Sequence, residues 1–237
     1  MSAQESINAY WDQRAETYHR LQQRPDRKNV DREVWGDIIR DTLPSHAQRV
    51  LDIGTGSGFL AFVHSDVGKQ VTGVDLSEQM LEIARHEALN LPEQQRPEFI
   101  MADAVEPALT LGERTFDAVT SRYLMWTLRH PVEALKNWRG LLVPGGTLIV
   151  IDAPWFPRGL DENKTENFAE LYDETVRAEL PLAEAQSIES TVAVIERAGF
   201  IDIQVRELTQ VLELDLAQGA TPGHQPTLQY LVSATRP

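Results

Sequence analysis

The strongest constraint on this chain lies in residues 50–61, Val-Leu-Asp-Ile-Gly-Thr-Gly-Ser-Gly-Phe-Leu-Ala. The pattern predicts a buried strand, Val50 to Ile53, feeding a glycine turn that opens a helix. An acid, Asp75, ends the next apolar run. Gly54, Gly56 and Gly58 carry no side chain and can take positive φ, so the backbone there can lie directly against a ligand. A carboxylate at the tip of the second strand can accept from both hydroxyls of a ribose. The pairing predicts a pocket for an adenosine-containing cofactor.

Charge separates the two cofactor classes that use this plan. Residues 56–61 satisfy the dinucleotide fingerprint G-x-G-x-x-G/A, and Asp75 follows at a suitable distance. Asp52, however, stands two residues before Gly54, where it would face an anionic pyrophosphate. Asp52, Asp75 and Asp103 each lie at or near the end of an apolar run. Three acids around one pocket favour a ligand carrying an ammonium and a sulfonium. The expected cofactor is S-adenosylmethionine (SAM).

Further segments carry a family resemblance: VTGVDLSEQMLEIAR (71–85), FIMADA (99–104), FDAVTSRYLMWTL (116–128), LLVPGGTLIVID (141–152) and ERAGF (196–200). With the glycine turn they fall in the order of the class I SAM-dependent methyltransferases of the small-molecule type, which the chain resembles from about residue 7 to about residue 205. The resemblance implies a doubly wound, mostly parallel seven-stranded α/β sheet with helices on both faces. It implies that Gly54, Thr55, Gly56 and Gly58 line the methionine and ribose side, and that Asp75 holds the ribose. Leu76 and Met80 would pack on adenine, and Asp103 and Ala104 would bind its amino edge. Asp52 would orient the turn or the ammonium. Val143 replaces the basic residue the family commonly has before Pro-Gly-Gly. Ser121-Arg122-Tyr123-Leu124 stands where amino-group methylases of nucleobases or glutamine carry Asn-Pro-Pro-Tyr, which argues against those substrates.

Composition narrows the setting. A net charge of −14 disfavours a nucleic-acid partner, because phosphate backbones need a basic face. There is no cysteine, so disulfides and thiol nucleophiles are excluded. No apolar run approaches a membrane span, and the polar start is not a secretory signal; the expected compartment is the cytoplasm. The six histidines show no metal-site spacing, so no metal is expected. The expected partner is a small-molecule methyl acceptor, and a homodimer is left open.

The organisation reads as four parts: an N-terminal helical cap (1–45), a SAM-binding α/β core (46–153), an inserted lid (154–190), and the C-terminal part of the sheet (191–237). Ile7, Tyr10, Trp11, Arg14 and Tyr18 fall on one helical face, as do Val30, Val34, Ile38 and Ile39. Apolar runs at 50–53, 71–75, 98–102, 116–121 and 147–152 alternate with helical patterns, implying a parallel sheet. Ser77 is a candidate N-cap and Gly199 a helix stop. Phe168, Leu171, Tyr172 and Val176 form a stripe over the lid. Strands near 201–206 and 227–235 flank a long loop with Gly219, Pro222, Gly223 and Pro226.

Transfer from a sulfonium is an in-line displacement that asks mainly for positioning and exclusion of water. By analogy with related enzymes, Tyr10, Trp11 and Tyr18 would close over the methionine tail. Arg122, at the carboxyl edge of the fourth strand, could hold a carboxylate of cofactor or substrate, or make a surface ion pair. Tyr123, Trp126 and Trp155 are candidate acceptor walls, with core packing as the alternative for Tyr123 and Trp126. His19, His130 and Asp152 are candidate bases, although a residue of each kind at such a place is more often a surface or capping residue. Two rival functions remain at this level: a nicotinamide-dependent oxidoreductase and a non-catalytic SAM-binding sensor or scaffold.

Overall fold

A computed structural model describes residues 1–163, 165–220 and 225–237. Helices α1 (Ala3–Gln22) and α2 (Lys28–Thr42) precede the repeating part. Strands β1 (Arg49–Ile53), β2 (Gln70–Asp75), β3 (Glu98–Met101), β4 (Phe116–Arg122) and β5 (Leu142–Asp152) alternate with α3 (Phe59–Asp66), α4 (Glu78–Ala88), α5 (Ala108–Leu111) and α6 (Pro131–Leu141). Two short helices, α7 (Phe168–Leu171) and α8 (Glu174–Ala178), follow, then α9 (Glu189–Arg197), β6 (Ile201–Glu207), α10 (Thr209–Gln218) and β7 (Tyr230–Thr235).

The described residues form a seven-stranded sheet in the order β3-β2-β1-β4-β5-β7-β6. Strands β1 to β5 run parallel, and β7 runs antiparallel between β5 and β6. The doubly wound α/β expectation therefore holds, with β1 beside the reversal of strand order where such sheets bind ligands. Side-chain alternation explains the two covered faces. Val50, Ala118, Ile149 and Ile151 pack against Trp35, Ile38 and Ile39 of α2 and Leu60 and Val63 of α3. Leu51, Val119, Leu148 and Val150 face the opposite way, onto Leu135 and Trp138 of α6 and Ile195 of α9.

Three segments differ from the sequence expectations. The cap expected over 1–45 divides: α2 is one of the helices covering the sheet, and Val30 of its expected stripe is exposed while Trp35 is buried. The single lid stripe bends into α7 and α8, though Phe168, Leu171, Tyr172 and Val176 are all buried. The long loop after β6 contains α10, whose buried face is small: Val211 and the acid Asp215, which pairs with Arg27. A buried acid on a short apolar face does not read as a helix in sequence. Pro222 and Gly223 lie outside the described residues. β5 also begins at Leu142, so Pro144-Gly145-Gly146 falls within the strand, beside a register shift between Phe116 and Ala118. Among the described residues no helix is long and apolar enough to cross a membrane.

The N-terminal helix and the 154–190 segment form a separate aromatic layer above the carboxyl edge of the sheet. Tyr10 packs edge-on against Phe168 and Tyr172, with ring centroids 5.4 and 5.2 Å away. Tyr172 stacks on Phe168 at 4.5 Å and on Trp126 at 5.6 Å. Helix α1 is held over α4 by Asp12, which accepts from the Ser77 hydroxyl at 2.6 Å.

Candidate active site

The glycine turn is built for close approach. Gly54 sits at φ +69°, and a Cβ there would come within 2.8 Å of Leu124. Its amide and that of Thr55 donate to Val74 O, which joins the turn to β2. Asp75, at the end of β2, accepts from the amides of Gly56 (2.8 Å) and Ser77 (2.9 Å). Burial pushes its carboxyl above the usual range, against these donors. Ser77 in turn caps α4 by accepting from Met80 N at 3.2 Å. Asp103 accepts from Val105 N at 2.7 Å.

These groups open into one cleft of about 1070 Å³, counting the part open to solvent. Its floor includes Asp52, Gly54, Thr55, Gly56, Asp75, Leu76, Met80, Asp103 and Ala104. Arg122, Tyr123, Leu124 and Trp126 rise from the end of β4, and Trp11 and Tyr18 descend from α1. Tyr123 is a non-glycine residue at φ +62°. Its amide donates to Ile151 O and its hydroxyl to Gln229 at 2.6 Å, which hold that strained turn.

Arg122 is the notable cation. Its guanidinium lies over the rings of Tyr123, Phe59 and Trp35 at 3.9, 4.6 and 4.8 Å. Its Nε is buried with no hydrogen-bond partner among the described residues. The indole Nε1 of Trp126 is in the same condition. Such donors at a cleft wall are places where a ligand acceptor can dock.

Six of the sequence candidates lie outside the cleft lining, each for a physical reason. Gly58 begins α3 at φ +88°, where a Cβ would meet Phe62 and Phe99 at 2.8 and 2.9 Å; its task is helix packing. Tyr10 is buried in the aromatic layer, with its hydroxyl 2.7 Å from Thr165 Oγ1. Trp155 packs edge-on against Tyr123 and donates its indole N–H to Asp152. Asp152 is buried and saturated by Ala153 N at 2.9 Å and by Trp155, with the Met125 and Trp126 amides adding support. Burial nonetheless pushes it up to about 7, and it serves to pin the loop after β4. His19, whose pKa burial lowers, sits 3.9 Å from Glu87 of α4 at the contact between α1 and α4. His130 is exposed at the start of α6.

Other lining residues escaped the sequence reading. Gln4, Asn8 and Gln22 join Ile7, Trp11 and Tyr18 on the inner face of α1. Their three- and four-residue spacing was available, but amides in an apolar stripe read as solvent-facing. Gln4 is fixed by Arg129 Nε at 3.0 Å and donates to Asn8 at 2.7 Å. Gln22 accepts from Ser57 at 3.3 Å. Among the described residues no group of three or more His, Asp or Glu side chains is arranged to hold a metal.

Comparison with known proteins agrees with this architecture. Residues 51–150 match the family described as methyltransferase domain. A demethylmenaquinone methyltransferase of Clavibacter sepedonicus is 28% identical over 166 residues, 65% of this chain and 63% of that protein. A ubiquinone biosynthesis O-methyltransferase of Coxiella burnetii is 32% identical over 110 residues, 46% of this chain and 45% of the other. The chain thus spans less than two thirds of the length of these relatives. Among solved structures, phosphoethanolamine N-methyltransferase 2 of Haemonchus contortus, in complex with S-adenosyl-L-methionine, superposes with a TM-score of 0.60 at 22% identity, covering 86% of this chain and 52% of that one.

Proposed function

We propose that this chain, whose residues 51–150 match the methyltransferase domain family, is a class I enzyme transferring a methyl group from SAM to a small organic acceptor. The observation that carries the reading is one cleft uniting a close-approach glycine turn, three carboxylates at strand ends and an arginine without an ion-pair partner among the described residues. That donor set fits SAM: carboxylates for the ribose, adenine amine and ammonium, and a guanidinium for the carboxylate.

When bound, SAM supplies a methyl group already activated by its positive sulfur. In the displacement the acceptor's lone pair forms the new bond to carbon, and the carbon–sulfur pair leaves on sulfur, giving S-adenosylhomocysteine. The chain's own residues have two tasks. Asp75, Asp103, Leu76 and Met80 fix the adenosine end, while Asp52, Thr55 and Arg122 fix the methionine end. Trp11, Tyr18 and Trp126 cover the reacting centre and keep water from it. The aromatic walls and the names of the relatives support a planar, partly apolar acceptor such as a quinol or phenol.

Titration calorimetry with SAM, S-adenosylhomocysteine and NADH in parallel tests the cofactor. Micromolar binding of both adenosyl ligands and none of NADH is expected; binding of NADH alone would reverse the reading toward hydride transfer. A panel of phenols and quinols assayed for S-adenosylhomocysteine release then tests the acceptor.

A further inference from the structure

Behind the glycine turn runs a buried polar chain that neither the cleft description nor the sequence pattern accounts for. Asp52 is 1% exposed. Its Oδ2 accepts from Thr55 Oγ1 at 2.7 Å and its Oδ1 from Thr120 Oγ1 at 3.1 Å. Thr120 has spent its single proton on Asp52, so it accepts from His64 Nε2, 3.2 Å away and fully buried on α3. With Asp52 ionised, the direction of donation is therefore His64 to Thr120 to Asp52. That arrangement places a proton on Nε2, and Nδ1 is left buried without a partner among the described residues.

Two hydroxyl donors are thin support for a buried carboxylate. No cation stands at ion-pair distance from Asp52 among the described residues. Arg122 on β4 exerts a favourable charge from farther off, Asp75 on β2 an unfavourable one, and Tyr18 of α1 lines the same cleft. A carboxylate so placed resists ionisation until a positive group arrives. Asp52 lines the cleft itself, so that group can be a ligand's ammonium.

We infer that Asp52 holds a proton in the empty cleft and gives it up to solvent when the ammonium of an adenosyl amino acid binds, with Thr120 and His64 as the residues that position it. The inference rests on the SAM reading above. Burial supports it, pushing Asp52 up to about 7 and His64 down to about 3, so that the imidazole is neutral and offers the carboxylate no charge. Binding then carries its own pH dependence. Below the free-protein pKa the ligand must displace a proton, and affinity falls toward tenfold per pH unit.

The test is calorimetric titration of S-adenosylhomocysteine at about pH 6.5, below the α-amino range near 7.7–8.0, so that the ligand's ammonium stays protonated. Parallel runs in phosphate and bis-Tris, whose ionisation enthalpies differ, count the protons. Release of about 0.5–1 proton per ligand is expected, against none for Asp52→Asn. Thr120→Val removes one donor to the ionised form and should move the pH midpoint of proton release upward, and Thr120→Ser should restore it. Tight binding by the wild type with no proton released overturns the inference and leaves the cofactor reading intact. Proton release that persists in Asp52→Asn also overturns it, by assigning the proton to another group. Absence of S-adenosylhomocysteine binding removes both readings together.

Discussion

The floor of the cleft and its roof are made in different ways. The floor is mostly backbone: strand ends, a turn at positive φ, and two carboxylates held by main-chain amides, Asp75 by Gly56 and Ser77 and Asp103 by Val105. The roof is side chain: Tyr10, Trp126, Phe168 and Tyr172 stacked between α1 and residues 154–190. A backbone-built site tolerates little change, whereas an aromatic layer can be repacked to admit another acceptor while keeping its seal. One sheet can therefore keep its cofactor and alter its substrate by changing the roof alone.

That contrast is tested first at Tyr172, which is fully buried and shares a hydrogen bond of 3.1 Å with Thr127. Tyr172→Ala should cost about 3–5 kcal/mol, confined to the roof. Hydrogen exchange is expected to lose protection in α1 and 154–190 and to keep it in β1, β4 and β5; equal loss in the strands would make floor and roof one cooperative unit. A smaller effect is expected at Gly58, where Ala meets both a left-handed φ and the rings of Phe62 and Phe99. The combined cost should be about 2–4 kcal/mol, read as a lowered melting midpoint of the whole sheet. Asp75→Ala should weaken SAM binding by about 1–3 kcal/mol through loss of charge-assisted hydrogen bonds. Unchanged affinity in a folded variant would remove the ribose assignment.

A last effect is on pH. Asp152 ties the roof-side loop to β5, and its folded pKa near 7 lies above the ordinary value. The native state therefore binds the proton more readily than the unfolded chain. Stability linked to Asp152 is present at low pH and is lost as pH rises from about 4 to about 7, on the order of 1 kcal/mol per unit. Melting curves of wild type and Asp152→Asn between about pH 5 and 7 should diverge with that slope, and parallel curves would return Asp152 to an ordinary carboxylate.

The floor was largely legible because its chemistry is local. Gly54 and Asp103 follow their strands by one and two residues, Asp75 ends its own, and apolar runs marked the strands themselves. The roof was legible only as stripes. Nothing in residues 4–22 says that Gln4, Asn8 and Gln22 face inward, since the surface that turns them inward is contributed by distant residues such as Arg129 and Ser57. Asp152 misled for the same reason: a strand-end acid reads as accessible until Trp155, three residues on, folds back to occupy it. His64 and Thr120 carried no signal, because a polar pair becomes a relay only when a helix is laid across a strand.

The hydrogen bond between Tyr10 and Thr165 joins residues 155 apart in sequence. During synthesis at about 5–20 residues per second, α1 leaves the ribosome about 8–30 s before the segment that will cover it. Its inner face, with Ile7, Tyr10 and Tyr18, waits through that interval for partners it does not yet have. Roof closure is accordingly a late event in the birth of the molecule, and the interval before it is when a nascent chain is most exposed to chaperones and to its own neighbours.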